Sequence, residues 1–234
     1  MLDDAFNALK TYDWGTDRAP VAPIEAAAAA AHGKPAERED LEKRLLAALQ
    51  SDVSRDAKGF VCRMLTIVGG AASVPVLAGL LGDEYLSHMA RYALERISGD
   101  EAAQALRDAL PRLSGKLKIG VIGSIGSRHD AAAVPALGGL VKDPDAAIAR
   151  AAVLALGRIG TVDAAKTLEN SIPAATETKP AVIDARLACA EALLADNKHG
   201  AAQEIYKSLA GDEQSRLVRL AATRGMLSCA ARNA

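Results

Sequence analysis

Aromatic residues are scarce in this chain of 234 residues, which has two Phe, four Tyr and one Trp. A core must therefore be built from small aliphatic side chains, and little is left for a surface that stacks nucleic-acid bases on aromatic rings. Cysteine is scarce too: three residues, an odd number without metal-type spacing, argue against a disulfide framework or a zinc site. Neither sign of charge dominates. Lys and Arg number 28 against 29 Asp and Glu, and the net charge of -1 removes the electrostatic basis of a dedicated nucleic-acid binder. No apolar stretch reaches the roughly 18 residues that a membrane span requires. The N-terminal Met-Leu-Asp-Asp has neither the basic nor the apolar region of a signal peptide. As written the chain is expected to be soluble and cytoplasmic, and export would need a leader ahead of it.

What is abundant is alanine, with 51 residues, in a chain that is 50% apolar. Ala is the best helix former, and Val and Ile are too few for extensive sheet. An all-α fold is expected. Self-comparison then reveals a repeat. Residues 131–163, AAAVPALGGLVKDPDAAIARAAVLALGRIGTVD, align with residues 71–100, AASVPVLAGLLGDEYLSHMARYALERISGD. Val74-Pro75 matches Val134-Pro135, and Ala93-Leu94 matches Ala155-Leu156. A degenerate unit covers 101–130, looser ones start near Ala164 and Ala201, and one starts near Glu39. Periods of about 30 to 37 residues are those of helical-hairpin solenoids.

Each unit reads as helix A, a turn, then helix B. Ile148, Ala151, Ala152, Ala155 and Ile159 form one apolar face at helical spacing, and Leu86, Met89, Ala90, Ala93 and Ile97 repeat it. Asp100, Asp130 and Asp163 stand where a carboxylate can cap helix A. Asp143-Pro144 is expected to open a helix B.

The segment VPALGGLVKDPDAAIARAAVLALGRIG resembles the HEAT repeat, especially the short bacterial type called phycobilisome-lyase-like. The likeness is strongest over 71–163. It implies a right-handed stack of antiparallel helix pairs whose B helices line a concave, protein-binding side. HEAT units usually carry an Arg just after the apolar residue that opens helix B, where it bridges repeats. Here Ser87, Ala149 and Val218 hold that position, so small-residue packing is expected to hold the stack. Residues 181–209 resemble a tetratricopeptide-type helix pair, with Tyr206 as filler.

The reading is an α-solenoid of about six antiparallel helix pairs forming one domain, 1–234. Within it, 1–37 are N-terminal cap helices, 38–163 HEAT-like repeats, and 164–234 looser pairs with a C-terminal cap. Phe6, Leu9, Tyr12 and Trp14 are expected to cover the terminal core, and residues 32–37 to form a loop.

The catalytic inventory is thin. His32, His88, His129 and His199 lack a partner at ligand spacing, and His129 reads as a solvated turn residue beside a capping Asp130. In IGVIGSIG the glycines are spaced G-x-x-G-x-x-G, whereas a dinucleotide fingerprint needs G-x-G-x-x-G. Gly126 is instead expected to end a helix B, with Gly120 and Gly123 inside it at close packing or local softness. Cys62, Cys189 and Cys229 read as packing residues. The acidic turn residues Asp83, Glu84, Asp143, Asp145, Asp212 and Glu213 read as caps. No metal, cofactor or catalytic group is assigned.

What remains is a surface. At 100° per residue the stripe opposite each B-helix core face contains Gly59, Cys62 and Thr66, then His88, Arg91 and Glu95, then Lys116, Ile119 and Gly123. It continues through Arg150, Val153 and Gly157, Ala185, Ala188 and Ala192, and Arg219, Ala222 and Met226. The candidate partner-binding residues are His88, Arg91, Tyr92, Glu95, Lys116, Arg150 and Arg219, with Arg91, Tyr92 and Arg150 as anchors. The expected function is a non-catalytic protein-binding or scaffold module presenting a concave helix-B groove, compatible with being part of a larger multidomain protein, a monomer that takes an acidic or extended peptide in preference to nucleic acid. The alternative is a lyase-type accessory subunit or HEAT-like enzyme acting on a chromophore or nucleic acid.

Overall fold

A computed structural model describes residues 1–171 and 178–231, and among these every regular element is helical. The chain divides into two compact units, Met1–Ser124 and Ile125–Ala234. Each is a stack of antiparallel helix hairpins, the architecture of an α-solenoid.

The first unit contains α1 (Leu2–Leu9), α2 (Ala22–Ala30), α3 (Pro35–Leu49), α4 (Arg55–Val68), α5 (Val74–Gly79), α6 (Ser87–Arg96) and α7 (Asp100–Ala109). It also holds most of α8 (Gly115–Ser127). Hairpin partners pack together, and hairpins stack like on like: α2 on α4, α4 on α6, α5 on α7. Buried Leu45, Phe60, Leu65, Leu77, Leu94 and Leu106 fill the space between. The second unit holds α9 (Val134–Leu140), α10 (Ala146–Ile159), α11 (Val162–Asn170), α12 (Lys179–Ala195), α13 (His199–Ser208) and α14 (Arg216–Ala231). Here α10 stacks on α12 and α12 on α14. The aliphatic core expected from composition is present, and Tyr206 is buried in it as the expected filler.

Val74 and Val134 both start a helix after a 3-10 turn, with Pro in the first turn where no backbone N–H is required. The caps are less regular than the sequence suggests. Asp130 accepts from the Ala132 N–H at 3.2 Å, as expected. The cap of α10, however, is Asp145, which accepts from Ala147 N at 2.9 Å, while Asp143 accepts from Asp145 N at 2.9 Å. Thr161 caps α11 in place of Asp163, accepting from Ala164 N at 3.2 Å. Asp100 lies inside α7 and pairs with Arg107 at 3.1 Å. A carboxylate is favourable at the cap and through the first turn alike, so its presence leaves the start uncertain by a residue or two. Residues 35–37, expected in a loop, begin α3, because Pro35 suits a first helical position.

Two devices join consecutive hairpins. In the first unit α3 reaches both ends of the turn that follows α4. Arg38 donates from Nε to the Val68 carbonyl at 2.8 Å and from Nη2 to that of Gly69 at 2.6 Å. One turn later the buried Glu42 accepts from the Gly70 N–H at 2.7 Å and the Ser73 hydroxyl at 2.5 Å. A cation thus sits at a helix C-terminus and an anion at the start of the next element, as backbone partial charges favour. The second unit has a polar tie as well, Arg186 of α12 donating to Glu169 of α11 and Ser208 of α13 at 2.7 Å each, and adds to it missing side chains. A Cβ on Gly126 or on Gly157 would lie 3.0 Å from the Cα of Ala155 or Ala185 respectively. Gly225 likewise leaves room for the ring of Tyr206. Gly160 ends α10 in the left-handed conformation, φ 67°, as a helix-stopping glycine should.

Candidate partner-binding surface

The B-helix face of the first unit is formed on α4, α6 and α8. On α6, His88 and Tyr92 are exposed, whereas Arg91 and Glu95 are half-buried. Arg91 reaches across to α8, donating from Nη1 to the Gly120 carbonyl at 3.0 Å and to Ser124 Oγ at 3.3 Å. Ser124 Oγ in turn donates to Glu95 Oε1 at 2.6 Å. Burial lowers the pKa of the Arg91 guanidinium from its ordinary value, and the Glu95 charge opposes that shift. Gly120 makes the crossing possible, since a Cβ there would lie 2.6 Å from Arg91 Cζ. Arg91 and Glu95 are therefore struts between neighbouring B helices. They supply the bridge that Ser87 cannot, one helical turn further on.

The other candidates separate. Tyr92 accepts from Arg96 Nη2 at 3.1 Å. Lys116 is exposed at the start of α8. Arg150 and Arg219 belong to the second unit, where Arg150 is exposed and Arg219 is paired with Asp212 at 2.6 Å. Much of the stripe between them faces inward: Gly59, Cys62, Val153, Gly157, Ala185 and Ala222 are buried. The cause is packing on several sides. Helix α10 touches α9, α11 and α12, so its core face covers more than half its circumference. The exposed ridge narrows to Ala147, Arg150, Leu154 and Arg158.

The largest concentration of recognition residues lies elsewhere in the first unit. A cleft of about 610 Å³ opens between residues 12–18, α4 and the start of α6, lined by Tyr12, Trp14, Arg18, Arg55, Arg63 and Tyr85. Its construction begins at Ser54. That hydroxyl caps α4 through the Ala57 N–H at 3.0 Å and donates to the Tyr12 carbonyl at 2.6 Å, pinning the 12–18 loop to the helix. Tyr12 follows its carbonyl inward and meets the buried Phe60 at 5.9 Å between ring centroids. The loop then turns. Thr16 donates to the Asp13 carbonyl at 2.6 Å, and Gly15 takes φ 77°, a conformation that glycine tolerates best. Asp13 Oδ1 accepts from the Trp14 N–H at 2.8 Å, and Trp14 is left 88% exposed. The expectation that Trp14 covers the terminal core is corrected here: Leu9 and Tyr12 do that, while the turn directs the indole away.

On the opposite wall Arg55 and Arg63 lie two turns apart, about 12 Å along α4 at 1.5 Å per residue. Gly59 sits between them with open space where a Cβ would be. Arg55 stacks on the Tyr85 ring, 4.5 Å from its centroid. Arg18 is paired with Glu25 at 2.5 Å, and Asp13 and Asp56 also line the cleft. No ion pair is formed by Arg55 or Arg63 among the described residues. The stripe read from the sequence begins at Gly59, one turn after Arg55, and so leaves this cleft out. The sequence carries only part of the signal, Arg at i and i+8 of α4, because the Trp14 turn lies 41 residues before Arg55 and is brought to that helix by the fold.

Cys62, Cys189 and Cys229 are all buried. Burial pushes Cys62 up to about 12 and Cys189 up to about 11, so both remain protonated near neutrality. Among the described residues no group of three His, Cys, Asp or Glu is placed to hold a metal ion, and no helix is long and apolar enough to cross a membrane.

With this geometry in view, residues 109–179 match the family model described as HEAT repeats. No curated protein matches the chain. Two solved structures that resemble it are crystal structures of engineered proteins. One is 18% identical with a TM-score of 0.41, covering 82% of this chain and 97% of the other. The second is 17% identical with a TM-score of 0.44, covering 97% and 68% respectively.

Proposed function

We propose that the chain is a non-catalytic protein-binding module, and that its first unit engages an extended polypeptide segment at the Trp14–Arg55–Tyr85 cleft. HEAT repeats typically serve as protein-interaction scaffolds, and the likeness over 109–179 supports the class. The observation that carries the site is the pair Arg55 and Arg63, without ion-pair partners among the described residues, facing the exposed Trp14 across an open glycine notch. Trp, Tyr and Arg dominate the energetics of protein interfaces. A planar guanidinium already stacked on Tyr85 has lost little freedom when it forms a bidentate pair with a carboxylate. Asp13 and Asp56 offer acceptors for backbone N–H groups on the same segment. His88, Tyr92 and Lys116 continue the surface along α6 and α8, with Arg91 and Glu95 holding those helices in register. In the second unit, Arg150 and Arg219 are separate candidates on α10 and α14. The free protein is proposed to be a monomer, and the net charge of -1 argues against nucleic acid as its ligand.

A photo-crosslinking amino acid in place of Tyr85 should capture a polypeptide in the source cell. The purified partner should then bind the double variant Arg55→Glu, Arg63→Glu at least about tenfold more weakly, roughly 1.4 kcal/mol, by calorimetry. An unchanged dissociation constant would overturn the site. A retained chromophore or reproducible turnover by the purified chain would overturn the non-catalytic reading.

A further inference from the structure

The outer face of α14 is a second surface, independent of the cleft. Its inner face is occupied: Ala222 and Cys229 are fully buried in the core of the second unit, and Gly225 receives Tyr206. The opposite face carries Leu217, Leu220 and Leu227, exposed by 79, 56 and 68%. A single exposed Leu needs no explanation, but these three follow a register. Leu217, Leu220, Arg224, Leu227 and Ala231 are spaced by three and four residues in alternation, all are exposed, and they span about 21 Å of helix. That is the a/d seam of a two-heptad coiled-coil strand, with a charge at its central a position. Arg224 has no ion-pair partner among the described residues. No Asp or Glu occurs between Arg216 and Ala231, whereas Arg216, Arg219 and Arg224 do, with Arg219 committed to Asp212.

The register also limits the occupant. A second copy laid on the seam in parallel register places Arg224 against Arg224, and an antiparallel copy, in which a positions meet d positions, offers it leucines and no carboxylate. Like charges opposed at the centre of an apolar seam are strongly disfavoured. A lipid surface fits poorly as well, because Arg224 would enter the acyl layer together with its flanking leucines. An amphipathic helix with a carboxylate at the matching position satisfies both the leucines and the charge.

We propose that the outer face of α14 is a docking seam for one helix of a partner protein, apolar at its own a and d positions and carrying Glu or Asp opposite Arg224. Knobs from the partner pack between Leu217, Leu220 and Leu227, and the carboxylate closes a hydrogen-bonded pair with the guanidinium.

The full chain can be titrated with two labelled probe peptides of two heptads, Leu at a and d, that differ only in Glu or Lys at the central a position. Fluorescence anisotropy should show saturable binding of the Glu peptide and at least about tenfold weaker binding of the Lys peptide. Arg224→Glu should invert that preference, and Leu220→Ala with Leu227→Ala should weaken both peptides with an unchanged thermal melt. Equal binding of the two peptides, or a preference that Arg224→Glu leaves in place, overturns the proposal. So does a wild-type dimer in sedimentation that Leu220→Asp dissociates, or α14-dependent binding to vesicles of anionic lipid without capture of the Glu peptide. Because the cleft is untouched by these variants, failure here leaves the Arg55 and Arg63 experiment standing.

Discussion

In Met1–Ser124 neighbouring hairpins are tied by side chains that reach across a gap, Arg38 and Glu42 to the turn after α4, and Arg91 and Glu95 to α8. In Ile125–Ala234 the gap itself is removed. Gly126 and Gly157 bring a helix backbone against Ala155 and Ala185, and Gly225 admits the Tyr206 ring. Polar contacts tie hairpins in both units, since Arg186 of α12 donates to Glu169 of α11 and to Ser208 of α13, each at 2.7 Å, but the second unit adds backbone proximity to them. Polar ties are sensitive to the loss of an atom, because a partner is then left buried and unsatisfied. Glycine notches are sensitive to the gain of one, because close-packed interiors have no room to accept it.

The largest effect is expected where volume is added against backbone. Gly157→Leu should destabilise the protein by about 3 kcal/mol in urea unfolding, since neither α10 nor α12 can move without disturbing its own hairpin. Next, Glu42→Ala should lose about 2 kcal/mol, because the Gly70 N–H and the Ser73 hydroxyl are left without their acceptor. These two variants also test whether 1–234 is one cooperative domain, as the sequence suggests. One shared transition moved by both supports it, whereas two transitions, each moved by the variant in its own unit, would split the chain. Ser124→Ala should lose about 1 kcal/mol and loosen α8 in hydrogen exchange. Finally, Gly123→Ala should stabilise by about 0.5 to 1 kcal/mol, as nothing lies within 4 Å of its new Cβ. A destabilised Gly123→Ala would mean that α8 is packed more tightly than its neighbours indicate.

The sequence was most informative where geometry is local. Val74-Pro75 and Val134-Pro135 mark helix starts because Pro acts on its own backbone, and the Ile148 and Leu86 faces are buried because helical spacing needs no partner to be read. Ala151 and Met89, at the margins of those faces, are half-buried. Legibility fell where two elements decide together. Gly120, Gly123 and Gly126 of α8 look alike in sequence, yet Gly120 clears an arginine, Gly126 touches α10 and Gly123 faces open space. Nothing within the helix distinguishes them. Glu42 and Ser73 are 31 residues apart and follow no period. Trp14 departs from the sequence expectation because apolar character implies burial, while the hydrogen bonds of its turn set its direction. The stripe failed at Cys62 and Val153 because a helix with neighbours on three sides has no simple outer half.

The clash at Gly126 and Gly157 has a consequence for how this sequence can drift. In each case the nearest obstacle is the partner's Cα, an atom that every amino acid carries. Replacing Ala155 or Ala185 by glycine would remove a methyl group and leave that obstacle in place. Exchange of large for small across the junction relieves only part of the crowding, and the rest needs a shift of a few tenths of an ångström between helix backbones, so neither glycine has a full compensating path within its pair. The struts of the first unit have one, since a hydroxyl, an amide or a water can stand in for Ser124. Over many substitutions the polar joints are expected to change their chemistry while the notches keep their residues.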